Sequence, residues 1–229
     1  MASPINPEIL KAGPNHCLAL CLVALGEKDA AERAFVAALA DDPTSRRVGI
    51  DFARVLAAHG KTIDSLKELN RLVAEDPNEV GLWHLGGQIA LSRPDYLEFA
   101  RDWTGEAVKH FPAHTGLLMQ RGEALLLTQK PEAALPFWLK AHSPNSPRQV
   151  AALVLCEFLT GDFHRQFAPA EEAAVSQELV KWYRQLIAVG AHCSVRQLHD
   201  RMEQIRQVTP GFVRVWEAAT QQAREATVA

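Results

Sequence analysis

Only four cysteines, Cys17, Cys21, Cys156 and Cys193, stand in a chain of 229 residues. So few, so widely placed, they exclude a disulfide scaffold and point to reduced thiols in a cytosol-like compartment. Cys17 and Cys21 lie one helical turn apart, where an intrahelical disulfide is geometrically poor. Surplus charge is lacking too: the formal net charge is -3 and the sequence pI about 6.3. No basic excess points to nucleic acid or to an anionic membrane. No run reaches the ~18 apolar residues that a membrane span needs. The stretch from Cys17 to Leu25 is apolar, but a signal peptide is a poor fit. Only Lys11 stands ahead of it, Pro4 and Pro7 sit upstream, and no small-x-small cleavage site follows. Leu18-Ala19-Leu20-Cys21 approaches a lipoprotein box, with a bulky residue before the cysteine. There is no phosphate-cradling glycine motif; Gly86-Gly87 reads as mid-helix, where close packing explains it.

What is present is periodicity. Apolar residues make up 48% of the chain and charges are interspersed, as in a soluble helical protein with a continuous core. Gly26, Ala31, Phe35, Ala38, Leu39 and Pro43 are answered 34 residues later by Gly60, Ser65, Leu69, Leu72, Val73 and Pro77. A fixed period of this size marks stacked repeats, each packing on its neighbours.

Residues 1–13 read as a lead-in, with Asn15 as N-cap of the first helix. Gly26 and Gly60 end first helices in the left-handed cap position. The second helices carry stripes at helical spacing: Ala31, Ala34, Phe35, Ala38 and Leu39, then Ile63, Leu66, Leu69, Leu72 and Val73. Asp-Pro pairs close both units, because the residue before proline leaves the α region. A third unit has Leu82, Trp83 and Gly86-Gly87, a longer turn over Ser92-Arg93-Pro94-Asp95, and a helix with Tyr96, Phe99, Ala100 and Trp103. A fourth has Leu117, Leu118 and Gly122, then Pro131 in a first helical turn, Ala134 and Trp138. The units span about 14–45, 46–79, 80–114 and 115–147. Beyond them, residues 148–229 hold a fifth first-helix and longer, irregular helices that cap the array. One starts near Ala170, one is capped by Ser194 and carries Val195, Leu198, Met202 and Ile205, and one is capped by Thr209-Pro210.

At these residues the chain resembles the tetratricopeptide repeat family, from about Ala12 to Pro147. Unit one matches best, through Leu18, Ala19, Gly26, Ala31, Phe35, Ala38, Leu39 and Pro43. Ser65 and Thr104 depart from the pattern, standing where Ala and Phe are usual. The resemblance implies an all-α, right-handed α-solenoid of about four helix hairpins plus a C-terminal helical cap. It further implies that the first helices line a concave surface holding an extended or helical peptide. The residues facing it would be Gly13, His16 and Leu20, then Arg47, Ile50 and Arg54, then His84 and Gln88, then Met119 and Glu123, with Gln149 and Cys156 continuing the row. The Lys/Asn clamp by which some members hold a terminal carboxylate is absent. Arg47 and Arg54 either pair with acidic side chains of a ligand or form a solvated face.

Sites for chemistry are not apparent. His110 and His114 are separated by Pro112, and His192, Cys193 and His199 supply two zinc ligands at best, where three or four are needed. Cys156 reads as a small buried hydrophobe, and Glu171 and Glu172 as partners of a helix dipole. Trp83, Trp103, Trp138, Trp182 and Trp216 lie on core stripes. No catalytic residue, metal or cofactor is assigned. The expectation is a cytoplasmic, non-catalytic scaffold or adaptor that binds a peptide segment of a protein partner, with neither nucleic acid nor a membrane span. Alternatives are a regulatory or substrate-docking part of an enzyme or secretion system, such as a bacterial glycosyltransferase, or a module self-associating through Trp182, Tyr183 and the C-terminal helices.

Overall fold

The structure, a computed structural model, describes residues 13–141, 146–163, 165, 167–208, 210, 211, 213, 214, 216, 217 and 221. Residues 1–12 of the N-terminal lead-in, Ser143 to Asn145, Thr209 and Phe212 lie outside these. Among the described residues there is no strand, and the chain forms two compact units, Met1–Ala90 and Leu91–Ala229.

The first unit begins with α1 (Pro14–Leu25) and α2 (Lys28–Asp41), which pack as a hairpin, followed by α3 (Arg46–Ala58) and α4 (Thr62–Glu75), which do the same. Helix α5 (Val80–Leu91) comes next. Gly26 and Gly60 take φ of 79° and 82°, the left-handed values reserved by their sequence positions. The next amide in each case reaches back to close the helix end, Glu27 N–H to the Leu22 carbonyl and Lys61 N–H to the Leu56 carbonyl. The repeated Asp-Pro pairs have a local reason: Asp42 Oδ1 and Asp76 Oδ1 each accept from the amide two residues on, at 3.1 Å.

Ala31 and Phe35 are fully buried, and Phe35 stacks on Phe52 with ring centroids 5.3 Å apart. Ala31→Leu is expected to overpack this site and cost ~1–3 kcal/mol; an unchanged melting temperature would show the register to be wrong. The two departures from the repeat pattern are explained by their hydroxyls. Ser65 Oγ donates to the Ala53 carbonyl at 2.6 Å, across the α3–α4 hairpin, and Thr104 Oγ1 to the Ala100 carbonyl at 2.7 Å. Neither leaves a buried polar atom unpaired.

Glu32 on α2 accepts from Lys61 Nζ at 2.5 Å and pairs with His59 Nδ1 at 3.1 Å, tying the first hairpin to the second. The hydrogen bond from Lys61 lowers its pKa below the ordinary carboxylate value, with His59 adding to the effect and burial opposing it. A lowered folded-state pKa stabilises above the unfolded carboxylate pKa and is lost as pH falls through the folded value. Glu32→Gln is therefore expected to cost less than ~1 kcal/mol at pH 7. The gap from wild type in urea unfolding should close in acid below the carboxylate range; a gap independent of pH would refute this.

In the second unit a 3-10 turn over Pro94–Tyr96 leads into α6 (Leu97–His110), followed by α7 (Thr115–Leu127), α8 (Pro131–Ala141) and α9 (Pro147–Thr160). Then come α10 (Pro169–Ala188), α11 (His192–Asp200) and α12 (Met202–Val208). Helix α9 is buried on nearly every side, from Gln149 to Leu159, packed by α8, α10 and α11. The five tryptophans are core residues, as their spacing implies.

Several local expectations are corrected. Gly13 is the N-cap of α1, and Asn15 sits inside the helix, where its Nδ2 donates to Asp41. Ala191 is the N-cap of α11, and Ser194 is buried one turn in. The helix carrying Leu198 to Ile205 breaks at Arg201, whose guanidinium turns to the Phe158 carbonyl. Ile63 and Phe99 face solvent, because Thr62 and Leu97 take the inward positions.

Candidate functional site

The left-handed residue that ends a first helix provides a ruler. Gly26, Gly60, Gln129 and Gly161 all have positive φ after α1, α3, α7 and α9. Gln129, at φ 61°, is the one non-glycine with positive φ among the described residues, and its Oε1 accepts the Cys193 amide at 3.0 Å. Thirteen residues before the marker stand Gly13, Arg47, Gly116 and Arg148. Six before it stand Leu20, Arg54, Glu123 and Leu155. Three and two before it stand Val23-Ala24, Ala57-Ala58, Leu126-Leu127 and Phe158-Leu159.

Measured this way, the same face has different fates in the two units. In the first, Val23, Ala24, Arg47, Arg54 and Ala58 are exposed, and Leu20, Ile50 and Ala57 half-buried. On α5, His84 and Gln88 are exposed. In the second, Leu126, Leu127, Phe158 and Leu159 are 0–4% exposed, in one core cluster with Trp182, Leu186 and Leu198. The polar positions are engaged by α10. Glu123 Oε1 accepts from Gln185 Nε2 at 3.1 Å and from Arg148 Nη2 at 3.3 Å. The Arg148 guanidinium lies 4.7 Å from the Trp182 ring centroid, and the Trp182 indole N–H points at the Arg148 carbonyl at 3.5 Å.

The residues expected to face a ligand thus separate. Leu20, Arg47, Ile50, Arg54, His84 and Gln88 remain at least partly accessible. His16 is 1% exposed, with Nε2 3.1 Å from Asp51 Oδ2 and its ring against Phe35. Met119 is half-buried against the core cluster, Glu123 is held as described, and Gln149 is 5% exposed with Nε2 2.8 Å from the Met119 sulfur. Cys156 is fully buried, and burial pushes its thiol up to about 12. A signal for this division exists in the sequence and is easily passed over. Ala57-Ala58 becomes Leu126-Leu127, and the run from Val150 to Leu159 is apolar all round, which marks a helix covered on every side.

Electrostatics on the accessible face centre on α3. Arg54 Nη1 stands 3.6 Å from Asp51 Oδ1, longer than a hydrogen bond, and its side chain is 61% exposed. Arg47 lies two turns earlier on the same helix. Elsewhere, His114 caps α7, its Nδ1 accepting from Leu117 N–H at 3.3 Å, while His110 closes α6. His199 Nε2 is 3.4 Å from the Tyr183 hydroxyl. Among the described residues no three His, Cys, Asp or Glu side chains are grouped to hold a metal, and no helix is long and apolar enough to cross a membrane. Trp182 and Tyr183 lie inside the second unit, 0% and 4% exposed.

Helix hairpins repeating every 34–35 residues, closed by left-handed turns and Asp-Pro pairs, define an α-helical repeat protein with the tetratricopeptide repeat fold. Among solved structures, the chain is similar to MamA from Desulfovibrio magneticus RS-1, residues 41 to the end, with 14% identity over 79% of this chain and 98% of that one, TM-score 0.55. A MamA RS-1 ArsTM double mutant has 13% identity over 79% and 97%, TM-score 0.56. TTC0263, described as a thermophilic TPR protein in Thermus thermophilus, has 22% identity over 77% and 96%, TM-score 0.47. No family model and no curated protein matches the sequence.

Proposed function

We propose that this chain is a non-catalytic adaptor that binds a peptide segment of a partner protein on the first-helix face of its N-terminal unit. The observation that carries this reading is the contrast between the two units. Positions filled by the chain's own α10 in the second unit are uncovered in the first, where they bear Arg47 and Arg54; on α5, His84 and Gln88 are exposed as well. An uncovered face with cationic groups over half-buried apolar side chains suits a short segment of another chain. Cysteines that are few and widely placed, with Cys21 and Cys193 exposed, suit a reducing, cytoplasmic setting.

Site-specific photocrosslinking tests the assignment. A crosslinking amino acid at Gln88 should capture one partner protein in the native cells, and the same group at Asn70, exposed on the second-helix side of α4, should not. Equal capture from both positions, or none from Gln88, would refute the reading.

A further inference from the structure

In the first unit, α3 is covered on one side by the second helix before it. Phe35 of α2 stacks on Phe52, Val48 and Val55 join the same cluster, and Glu32 pairs with His59. Thirty-four residues earlier, the equivalents of Val48, Phe52, Val55 and His59 are Pro14, Leu18, Cys21 and Leu25 on α1. Their spacing of four, three and four residues puts them on one side of the helix. All four are exposed, Leu18 at 50% and Leu25 at 74%, and no described helix precedes α1 to cover them. This side is distinct from the first-helix face, to which α1 gives Leu20. Away from α1, the large apolar side chains exposed among the described residues are Val36, Ile63, Phe99, Leu139 and Ile187, each on a different helix. A helix that ends a repeat array in water carries a polar outer side. The outer side of α1 is apolar, and it is shaped to receive a helix as α3 receives α2.

Charge selects the occupant. The twelve residues of α1 include no Asp, Glu, Lys or Arg, so a second α1 can approach without meeting a like charge. Head-to-tail stacking is disfavoured: α10, the last long helix, turns Glu171, Lys181 and Arg184 to solvent, and these would be set against Leu18 and Leu25 with nothing to pair them. We infer that the occupant is a second copy of this chain, with α1 packed antiparallel on α1 across a twofold axis. In that pair Leu18 meets Leu25 of the other copy, and Cys21 lies beside the axis, close to its own counterpart. A helix of this length extends about 18 Å, so the contact falls short of the ~1,200 Å² of a stable complex. The pair is therefore weak, and forms at high protein concentration or where copies are held close together.

The test uses the full chain with single exposed thiols as reporters. Cys17→Ser/Cys193→Ser leaves Cys21, and Cys17→Ser/Cys21→Ser leaves Cys193, which is exposed too; buried Cys156 stays in both. Each is treated at high protein concentration with diamide, which takes up the two electrons and two protons released as a disulfide forms. The rate of dimer formation is normalised to labelling of the same thiol by N-ethylmaleimide. Cys21 is expected to crosslink at least ~10-fold faster than Cys193, a difference of about 1.4 kcal/mol. Adding Leu18→Glu or Leu25→Glu, both at exposed positions, should remove that advantage. Equal rates for the two thiols, or an advantage that survives both glutamates, would overturn the inference. A Cys21 that reacts with neither reagent at any protein concentration would show that the chain's own residues 1–12 cover α1, and would overturn it as well.

Discussion

Replacing Leu127 with arginine is expected to unfold the second unit, whereas the same substitution at Ala58 should leave the first unit as stable as before. Both residues stand two positions before a left-handed helix end, so in a uniform array they would be equivalent. Leu127 is 3% exposed in a cluster with Trp182, Leu186 and Leu198, whereas Ala58 is exposed. An arginine at 127 would place a charge among apolar side chains, and Glu123, one turn back on α7, is already engaged by Gln185 and Arg148. An uncompensated buried charge costs ~3–5 kcal/mol, and the lost leucine packing adds ~2 kcal/mol or more. Together these are comparable with the whole stability of a typical domain. Urea unfolding followed by circular dichroism reads both variants. Equal, small effects at the two positions would mean that the second unit's face is open and that α10 is not its cover.

Trp138→Ala is expected to cost ~3–5 kcal/mol, in the upper range for a core substitution. The indole is 1% exposed and stands edge-on to Trp182, with ring centroids 5.8 Å apart. It also rests on α7 at Gly122, where an added Cβ would lie 2.5 Å from Trp138 Nε1. That nitrogen is buried without a hydrogen-bond partner among the described residues, so the cost arises from packing alone. Gly122→Ala should be destabilising by itself, through overpacking by ~1–3 kcal/mol, and nearly harmless once Trp138 is alanine. A double-mutant cycle checks this coupling. Simple additivity of the two changes would show that Trp138 does not pack on Gly122.

How much of this was legible beforehand differs from residue to residue. Gly26 and Gly60 announced two helix ends, and both take the left-handed conformation that glycine adopts without penalty. Phe35, Leu69 and Trp138 announced the inward stripes, because burial at helical spacing leaves a visible period. Asn15 and Ser194 misled, since cap preference is a local tendency and tertiary packing chose other start points. His16 misled for another reason: at the repeat position expected to face a ligand, a carboxylate from the next hairpin, Asp51, reaches it first. Gln129 carried no sign of its left-handed backbone, whose turn is closed by Gln129 N–H to the Leu126 carbonyl and Lys130 N–H to the Leu125 carbonyl.

By itself the sequence determined the helical repeat. Its spacing of glycine, small residue, aromatic and Asp-Pro acts through neighbouring turns and adjoining helices, and such short-range constraints are written into any stretch of chain that obeys them. Which part of the first-helix face remains available was decided only by the tertiary structure. That outcome depends on where α10 returns, and the pairing of Gln185 with Glu123 across 62 residues of chain leaves no period to read.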